Sequence, residues 1–270
     1  MDRALLVGIN SYRAAPLRGC VNDISDMAEH IVEYHGFAKS SVRLLADDRA
    51  TTEEIINHLN WLVDNAQTGD RIFFHYSGHG AQMATRDHQG EIDGLDEVIC
   101  PVDFNWTDKY VIRDKDFRRI FGSIPKGVDF IWVSDSCHSG DLSKDFPPQD
   151  TLWRMFPVPI DIQWRNETAL ELQNNALTLM SSITDMTGNV ALISGCESNQ
   201  TSADAVFDGR SNGALTYFLL KSLSEDGGRA LALDMLVKKV QEKLAATNKY
   251  RQIPGVEGSP DIIKKPFFTI

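Results

Sequence analysis

Two short turns each present a side chain capable of covalent chemistry directly after an apolar run. The first, SGHG (77–80), carries His79 after RIFFHY, and the second, DSCHSG (135–140), carries Cys137 after DFIWVSD. A cysteine becomes nucleophilic at neutral pH when a nearby base or cation favours the thiolate. An imidazole can do this and can later protonate a leaving amine. The pair therefore predicts thiol-dependent acyl transfer, with Cys137 as nucleophile and His79 as general acid–base.

Two details refine this pair. His138, next to Cys137, is a rival base, but adjacent residues on an extended backbone point in roughly opposite directions, so we favour His79. Gly80 leaves its backbone N–H unobstructed, and the N–H of Cys137 could lie beside it. Together these two donors could hold a developing oxyanion.

The elements that must position these turns alternate between apolar runs and helical patterns. We predict strands at 4–9, 41–45, 71–76, 129–135 and 191–196, a short hairpin arm at 96–103 and a last strand at 265–270. We predict helices from Asn22 or Asp23 to about Tyr34, from a Thr51–Glu54 capping box to about Ala66, and at 114–124, 212–224 and 231–247.

Near-continuous apolar strands separated by helices predict an α/β fold with a mostly parallel central sheet and helices on both faces. Ligands of such sheets bind beyond the carboxyl ends of the strands, where both turns lie. Residues 141–190 show no clear period, and a structureless insert of this length is typically functional or mobile.

Composition sets limits on the class of protein. A chain of 270 residues suits one large domain or two small ones, and its net charge of −11 argues against partners such as nucleic acid or anionic membranes. Four isolated cysteines suggest neither a disulfide framework nor a zinc site. The sequence lacks an apolar run of membrane-spanning length, and its first apolar run is too short for a signal peptide, so we expect a cytoplasmic protein.

Several segments resemble the metacaspases, the caspase-like cysteine peptidases of bacteria, plants, fungi and protozoa. The segments that carry the resemblance are ALLVGINSY (4–12), LRGCVNDISDM (17–27), YSGHG (76–80), DEVICPVDF (96–104), DSCHSG (135–140), SGCESNQTSADA (194–205) and NGALTYFLL (212–220). The resemblance implies one caspase-like domain over 1–270: a large-subunit-like part (1–140), a linker (141–190) and a small-subunit-like part (191–270). It also leans toward a monomer.

The resemblance further implies cleavage after arginine or lysine, in protein or peptide substrates. The residues give one independent reason, because Asp135 lies two positions before Cys137 and side chains two apart on a strand share a face. A carboxylate there could pair with a guanidinium or ammonium group. By family match Asp23, Cys20 and Ser77 join it around the pocket, and Asp204 is a further acidic position there.

Simpler roles exist for the same acidic residues. Asp23 could be a helix N-cap or a first-turn acid, and Asp135 could orient its own turn by a hydrogen bond.

We expect that the protein requires no cofactor. Calcium is the one candidate that the sequence suggests. Some metacaspases bind calcium through loop aspartates, and carboxylates suit this hard cation. Asp96 and Asp114 are the candidate ligands here, with Asp93 and Asp116 close by in the sequence. A solvated acidic surface explains the same residues equally well.

Two other functional classes fit parts of the pattern. A catalytically silent caspase-like adaptor is one, although relatives of that kind usually lose the histidine or the cysteine. Another thiol hydrolase is the second, although DSCHSG lacks the glycine two residues before the nucleophile of a G-x-C-x-G elbow. A peptidase selective for basic residues could also cut its own insert, at Lys144, Arg154 or Arg165, and we expect that insert to lie across or beside the cleft.

Overall fold

A six-stranded sheet runs through the middle of the fold in the computed structural model, which describes residues 1–86, 92–137, 147–172, 189–196 and 200–268. Five of its strands are parallel to one another, and one edge strand is antiparallel to its neighbour. In spatial order the strands are β12 (Gly255–Gly258), β9 (Asn189–Ser194), β7 (Asp129–Asp135), β3 (Arg71–Ser77), β1 (Asp2–Gly8) and β2 (Val42–Ala46).

Helices cover both faces of this sheet. Their bounds are α1 (Cys20–Tyr34), α2 (Thr52–Val63), α3 (Asp114–Phe121), α4 (Ile160–Leu172), α5 (Ala214–Ser224), α6 (Leu233–Ala246) and the short α7 (Pro260–Ile263). Short 3-10 turns lie at Lys39–Ser41, Asp47–Arg49, Asp108–Tyr110 and Gly228–Ala230. None of the helices in the described ranges is long and apolar enough to cross a membrane.

The inner strands of this sheet are largely apolar because alternate side chains enter two different cores. Phe74 and Trp132 pack with α2 and α3 on one face. Phe73 and Ile131, their neighbours in the sequence, pack with α1, α5 and α6 on the other face. This arrangement confirms the predicted α/β class with a mostly parallel sheet.

The register of β3 and β7 brings the two candidate turns together. The strands are parallel neighbours, and Ser77 pairs directly with Asp135 at their carboxyl ends. His79 and Cys137 follow these paired residues by the same two positions. Both turns therefore leave the sheet at the same edge.

Two small antiparallel sheets flank that edge. One contains β4 (Gly80–Arg86), β5 (Ile92–Ile99) and β6 (Ile112–Arg113). The other contains β8 (Leu152–Trp153), β10 (Ala203–Phe207) and β11 (Arg210–Gly213). The two sheets begin or end beside the turns, so their strands can form the walls of a cleft.

Local signals misplaced several boundaries. The arm predicted at 96–103 is β5, which ends at Ile99, and its partner β4 was not predicted. The strand predicted at 265–270 is wrong for its described residues, because Pro266 makes only an isolated bridge to Ala232. The predicted lack of structure in the insert is also wrong where it is described, since that part contains β8 and α4.

Candidate active site

The His79 turn is held by a pair of buried tyrosines. The Tyr12 hydroxyl accepts a hydrogen bond from the His79 N–H at 3.0 Å, and the Tyr76 hydroxyl donates to the His79 carbonyl at 2.7 Å. A Cβ atom on Gly78 would lie 2.6 Å from the Tyr12 hydroxyl and 2.7 Å from that of Tyr76. Glycine is needed at this position because the two hydroxyls occupy the space of a side chain.

The hydrogen bond of the His79 ring fixes its tautomer. Nε2 lies 2.7 Å from the carbonyl oxygen of Ala15, and since a carbonyl only accepts, Nε2 carries the proton. In the neutral ring Nδ1 then holds a free lone pair, and it makes no hydrogen bond among the described residues. Burial lowers the pKa of His79 to about 4, although the Ala15 carbonyl opposes this shift. His79 is therefore a neutral ring with an unprotonated Nδ1.

Cys137 is buried, and its sulfur contacts Ser202 and Cys196. Its Sγ accepts a hydrogen bond from the Ser202 N–H and lies 3.2 Å from the Sγ of Cys196. Within the described ranges no hydrogen bond joins His79 to Cys137. The rival base, His138, lies outside the described residues. The Cys137 thiol therefore hydrogen-bonds with groups other than the predicted base.

A buried arginine from the insert fills the space between the predicted pocket residues. The Arg154 guanidinium is fully buried and lies 2.6 Å from Asp23, 3.2 Å from Asp135 and 3.2 Å from Asp204. It also donates to the Ser77 hydroxyl at 2.8 Å. The structure thus brings four predicted pocket residues together around a guanidinium.

The fifth predicted pocket residue, Cys20, lies at the margin of this cluster. Its Sγ is 3.8 Å from the Asp204 carboxylate, and it is fully buried. Burial raises the pKa of Cys20 well above its usual value, so it is a thiol at neutral pH. We therefore assign it a packing role beside the carboxylates.

The charges in this pocket leave an excess of negative charge around Arg154. Burial alone lowers the pKa of Arg154, but the nearby carboxylates, Asp135 foremost, hold it well above the ordinary value. Burial raises the pKa of Asp204, an effect that Arg154 partly offsets. Without the guanidinium, three buried carboxylates would face one another with no cation. The pocket therefore has a strong electrostatic preference for a cationic side chain.

The backbone of Arg154 is bound as well as its side chain. Its carbonyl oxygen accepts hydrogen bonds from the Gly80 N–H at 3.2 Å and the Cys137 N–H at 3.3 Å, the two predicted oxyanion donors. Its own N–H donates to the Ser202 carbonyl at 3.0 Å, and β8 pairs antiparallel with β10. The residues around Arg154 thus lie in the cleft as an extended peptide, with one carbonyl held by the predicted oxyanion hole.

The Asp135 carboxylate pairs with Arg154, and its hydrogen bonds within the described part of the chain run to Ser202 and Thr216 rather than to its own turn. One of its oxygens accepts from the Ser202 hydroxyl at 2.7 Å and lies 3.2 Å from Arg154. The other accepts from the backbone N–H and hydroxyl of Thr216, at 2.9 and 2.8 Å, in the first turn of α5. These bonds orient the carboxylate toward the guanidinium. Ser202 and Thr216 were not predicted, because lone hydroxyl residues carry no distinct sequence signal.

The N-cap role considered for Asp23 is wrong. Helix α1 begins at Cys20 with Gly19 as its N-cap, so Asp23 lies in the first turn of the helix, which is the other simple role considered for it. Its carboxylate accepts from the Gly213 N–H at 3.0 Å and from the Asn212 amide at 3.0 Å. A Cβ atom on Gly213 would collide with Asp135 and Arg154, which explains the glycine.

The candidate calcium ligands are not members of the carboxylate cluster around Arg154. Some of them already have hydrogen-bond or ion-pair partners, and one does not. Asp96 is already paired with Arg113 at 2.8 Å, and Asp116 accepts from the Arg113 N–H at the start of α3. Asp114 is fully buried, and both of its carboxylate oxygens lack a hydrogen-bond partner. The Asp93 side chain lies outside the described part. Among the described residues no three acidic, histidine or cysteine side chains form a metal-binding group.

Comparisons with known proteins show which family this chain resembles. A family model described as "Metacaspase, peptidase C14 domain" matches residues 2–145. Metacaspase-1 of Schizosaccharomyces pombe is 29% identical over 291 residues, which cover 95% of this chain and 67% of that protein. Metacaspase-1 of Scheffersomyces stipitis is 33% identical over 291 residues, which cover 95% of this chain and 70% of that protein.

A solved structure matches the whole fold. The crystal structure of a protein from Geobacter sulfurreducens superposes with a TM-score of 0.74 at 26% sequence identity. The match covers all of this chain, 100%, and 98% of the other. The similarity therefore includes the carboxyl-terminal part of the chain, which the family model does not reach.

The buried carboxyl of Asp114 gives a prediction for the pH dependence of stability. Burial, with the negative charge of Asp96 as the second cause, raises the pKa of Asp114 to about 7. The unfolded carboxyl ionises near its model value of 3.8, so the folded state binds more protons between these two values. Asp114 should therefore reduce the free energy of unfolding as the pH rises from about 4 to about 7.

Urea unfolding of the wild type and Asp114→Asn at pH 5 and pH 8 measures this effect. The variant mimics the protonated carboxyl, so it should lose less stability between the two pH values than the wild type. Asp161→Asn, an exposed aspartate on α4, serves as the control and should keep the wild-type dependence. Equal pH dependence in the wild type and Asp114→Asn would contradict the assignment.

Proposed function

The chain belongs to the metacaspase family of cysteine-type endopeptidases, and we propose that it cleaves peptide bonds after arginine or lysine with Cys137 and His79 as its dyad. The observation that carries the specificity is the guanidinium of Arg154 among Asp23, Asp135 and Asp204. A substrate arginine has the same chemistry and would enter the same pocket. A lysine would use the same carboxylates as a compact point charge.

The chemistry follows from the tautomer of His79. Once Cys137 turns away from Cys196, Nδ1 takes the thiol proton and the sulfur attacks the carbonyl carbon of the bound arginine. The Gly80 and Cys137 N–H groups hold the oxyanion. The imidazolium then gives its proton to the leaving amine, and water, activated by the same nitrogen, hydrolyses the thioester.

The first target of the enzyme is its own chain. The Arg154 carbonyl already accepts from both oxyanion donors, and its side chain fills the pocket. The bond that follows, Arg154–Met155, is in the position of a scissile bond. The uncut chain is thus a latent form in which the insert blocks the cleft to other polypeptides.

The dyad predicts a matched pair of loss-of-function variants. Cys137→Ala and His79→Ala should each abolish hydrolysis of an arginyl peptide while circular dichroism shows an unchanged fold. The double variant should be little worse than either single variant, because dyad members act as a unit. Loss of activity in His138→Ala together with near-normal turnover in His79→Ala would overturn this assignment of the base.

The carboxylates predict a charge-specific loss in Asp135→Asn. Breaking one side of a desolvated, hydrogen-bonded ion pair costs about 2–5 kcal/mol, or roughly 30- to several-thousand-fold in kcat/KM. Hydrolysis after arginine should fall by this factor, and hydrolysis of the matched citrulline and norleucine peptides should fall much less. Both kcat and KM should change, because Asp135 also lies next to the nucleophile.

Asp129→Asn is the matched control at the opposite end of the same strand, where Asp129 pairs with Lys265. This variant should keep the wild-type preference for arginine over citrulline. An equal loss on all three peptides in Asp135→Asn would mean that Asp135 only orients its turn, and the preference for basic residues would lose its structural support.

The latent geometry predicts one defined self-cleavage. Purified wild-type protein should yield a fragment whose amino terminus is Met155, identified by Edman sequencing and intact mass. Cys137→Ala should remain whole, and Arg154→Gln should block this cut. Arg165→Gln, on the exposed face of α4, is the control and should leave the cut unchanged. A wild-type enzyme that hydrolyses peptides while its own chain stays whole would contradict the prediction.

A further inference from the structure

The residue two positions after the proposed scissile bond is also bound like a substrate. Met155 forms a parallel bridge with Gly80, and the Phe156 N–H donates to the Gly80 carbonyl at 3.2 Å. Gly80 therefore holds the peptide on both sides of the bond, since its N–H contacts the Arg154 carbonyl and its C=O contacts Phe156. This backbone pairing fixes where the Phe156 side chain points.

That side chain enters an aromatic pocket. Its ring centroid lies 5.2 Å from that of His79, 5.7 Å from Tyr12, 5.1 Å from Phe104 and 6.2 Å from Trp106. All four of these ring contacts are edge-on, which is a favoured arrangement for aromatic pairs. Only 6% of the Phe156 surface remains exposed.

Trp106, one wall of this pocket, has a strained backbone conformation. Trp106 has a φ of 65°, a left-handed conformation that bulky residues rarely adopt. The Asn105 side chain holds the turn by accepting from the Thr107 N–H at 3.2 Å and its hydroxyl at 2.6 Å. Strained residues of this kind concentrate at binding sites, where the strain places a side chain that the ligand needs.

All four walls belong to the scaffold of the catalytic site and none to the insert. Tyr12 and His79 are fixed by the tyrosine hydrogen bonds, and Phe104 and Trp106 follow β5. We therefore expect the four rings to keep their positions when the segment around Phe156 leaves the cleft. An extended polypeptide cut after arginine would place its own second residue beyond the bond in this pocket.

We propose that this pocket is a specificity subsite that selects a large aromatic side chain two residues after the scissile bond. The inference rests on the proposed cleavage after arginine and extends it to the leaving side of the substrate. The preferred cleavage sequence is then arginine, any residue, and an aromatic residue, which is the pattern of Arg154, Met155 and Phe156 themselves.

Quenched-fluorescence peptides that span the bond test the subsite. Two peptides with arginine before the bond differ only at the second residue after it, phenylalanine or alanine. An arginyl aminomethylcoumarin, which has no such residue, reports on cleavage after arginine alone. In the self-cleaved wild type, kcat/KM should be about tenfold or more higher for the phenylalanine peptide, the value expected for burying one aromatic side chain.

Two variants place the effect in the pocket. Trp106→Ala should reduce the phenylalanine-to-alanine ratio toward one when each rate is normalised to the coumarin substrate. Trp164→Ala, an exposed tryptophan on α4 at 72% exposure, is the matched control and should keep the wild-type ratio. The phenylalanine-to-alanine ratio of kcat/KM is measured on the wild type itself. The subsite is therefore still tested if the Trp106→Ala protein fails to fold.

The outcomes separate this subsite from the proposed function. Cleavage of the coumarin substrate with equal rates on the two peptides would overturn the subsite while leaving cleavage after arginine in place. No cleavage of any arginyl substrate would overturn the proposed function. A wild-type preference that survives unchanged in folded Trp106→Ala would also contradict the assigned pocket.

Discussion

A guanidinium taken out of water must be surrounded by anions, and the arrangement of this active site follows from that requirement. Arg154 is fully buried with three carboxylates and the Ser77 hydroxyl around it. The carboxylates come from α1, from the end of β7 and from β10, so the ion cluster joins the amino-terminal and carboxyl-terminal parts of the chain. Neither partner is stable in isolation at this depth, because an unpaired buried charge is costly.

The proposed latency and the proposed specificity both depend on this pairing of charges. A pocket that tolerates three carboxylates only when a cation is present will hold the chain's own arginine until another replaces it. In the proposed mechanism, the hydrogen bonds to the Arg154 carbonyl hold the peptide bond that Cys137 attacks. The Cys137 sulfur contacts Cys196 and Ser202, so it has to leave these partners first. The hydrogen bond with Cys137, together with burial, raises the pKa of Cys196 well above its ordinary value, so Cys196 remains a thiol.

The site residues that directly follow apolar strands could be predicted from the sequence, because adjacent parallel strands end at the same edge of a sheet. His79 and Cys137 could be placed together because each follows an apolar strand, and adjacent parallel strands end at one edge. Asp135 followed from the two-residue period of a strand, whereas Ser77 was placed at the pocket by its match to the family.

The rest depends on contacts between residues far apart in the sequence. Asp23 was open to a helix-cap interpretation by local rules, yet tertiary contacts with Gly213 and Arg154 use its carboxylate. Arg154 could be named as a cut site, but its position in the cleft depends on the pairing of β8 with β10. Strand β4 was missed because its pairing with β5, rather than its composition, makes it a strand.

The most direct test of this account is a crystal structure of the self-cleaved enzyme bound covalently to an arginyl chloromethyl ketone. We expect the inhibitor's guanidinium to replace that of Arg154 and to bond to Asp23, Asp135 and Asp204. We also expect the inhibitor's carbonyl oxygen to lie near the N–H groups of Gly80 and Cys137. An inhibitor attached to Cys137 with its arginine outside this cluster, while Arg154 remains buried there, would contradict the account.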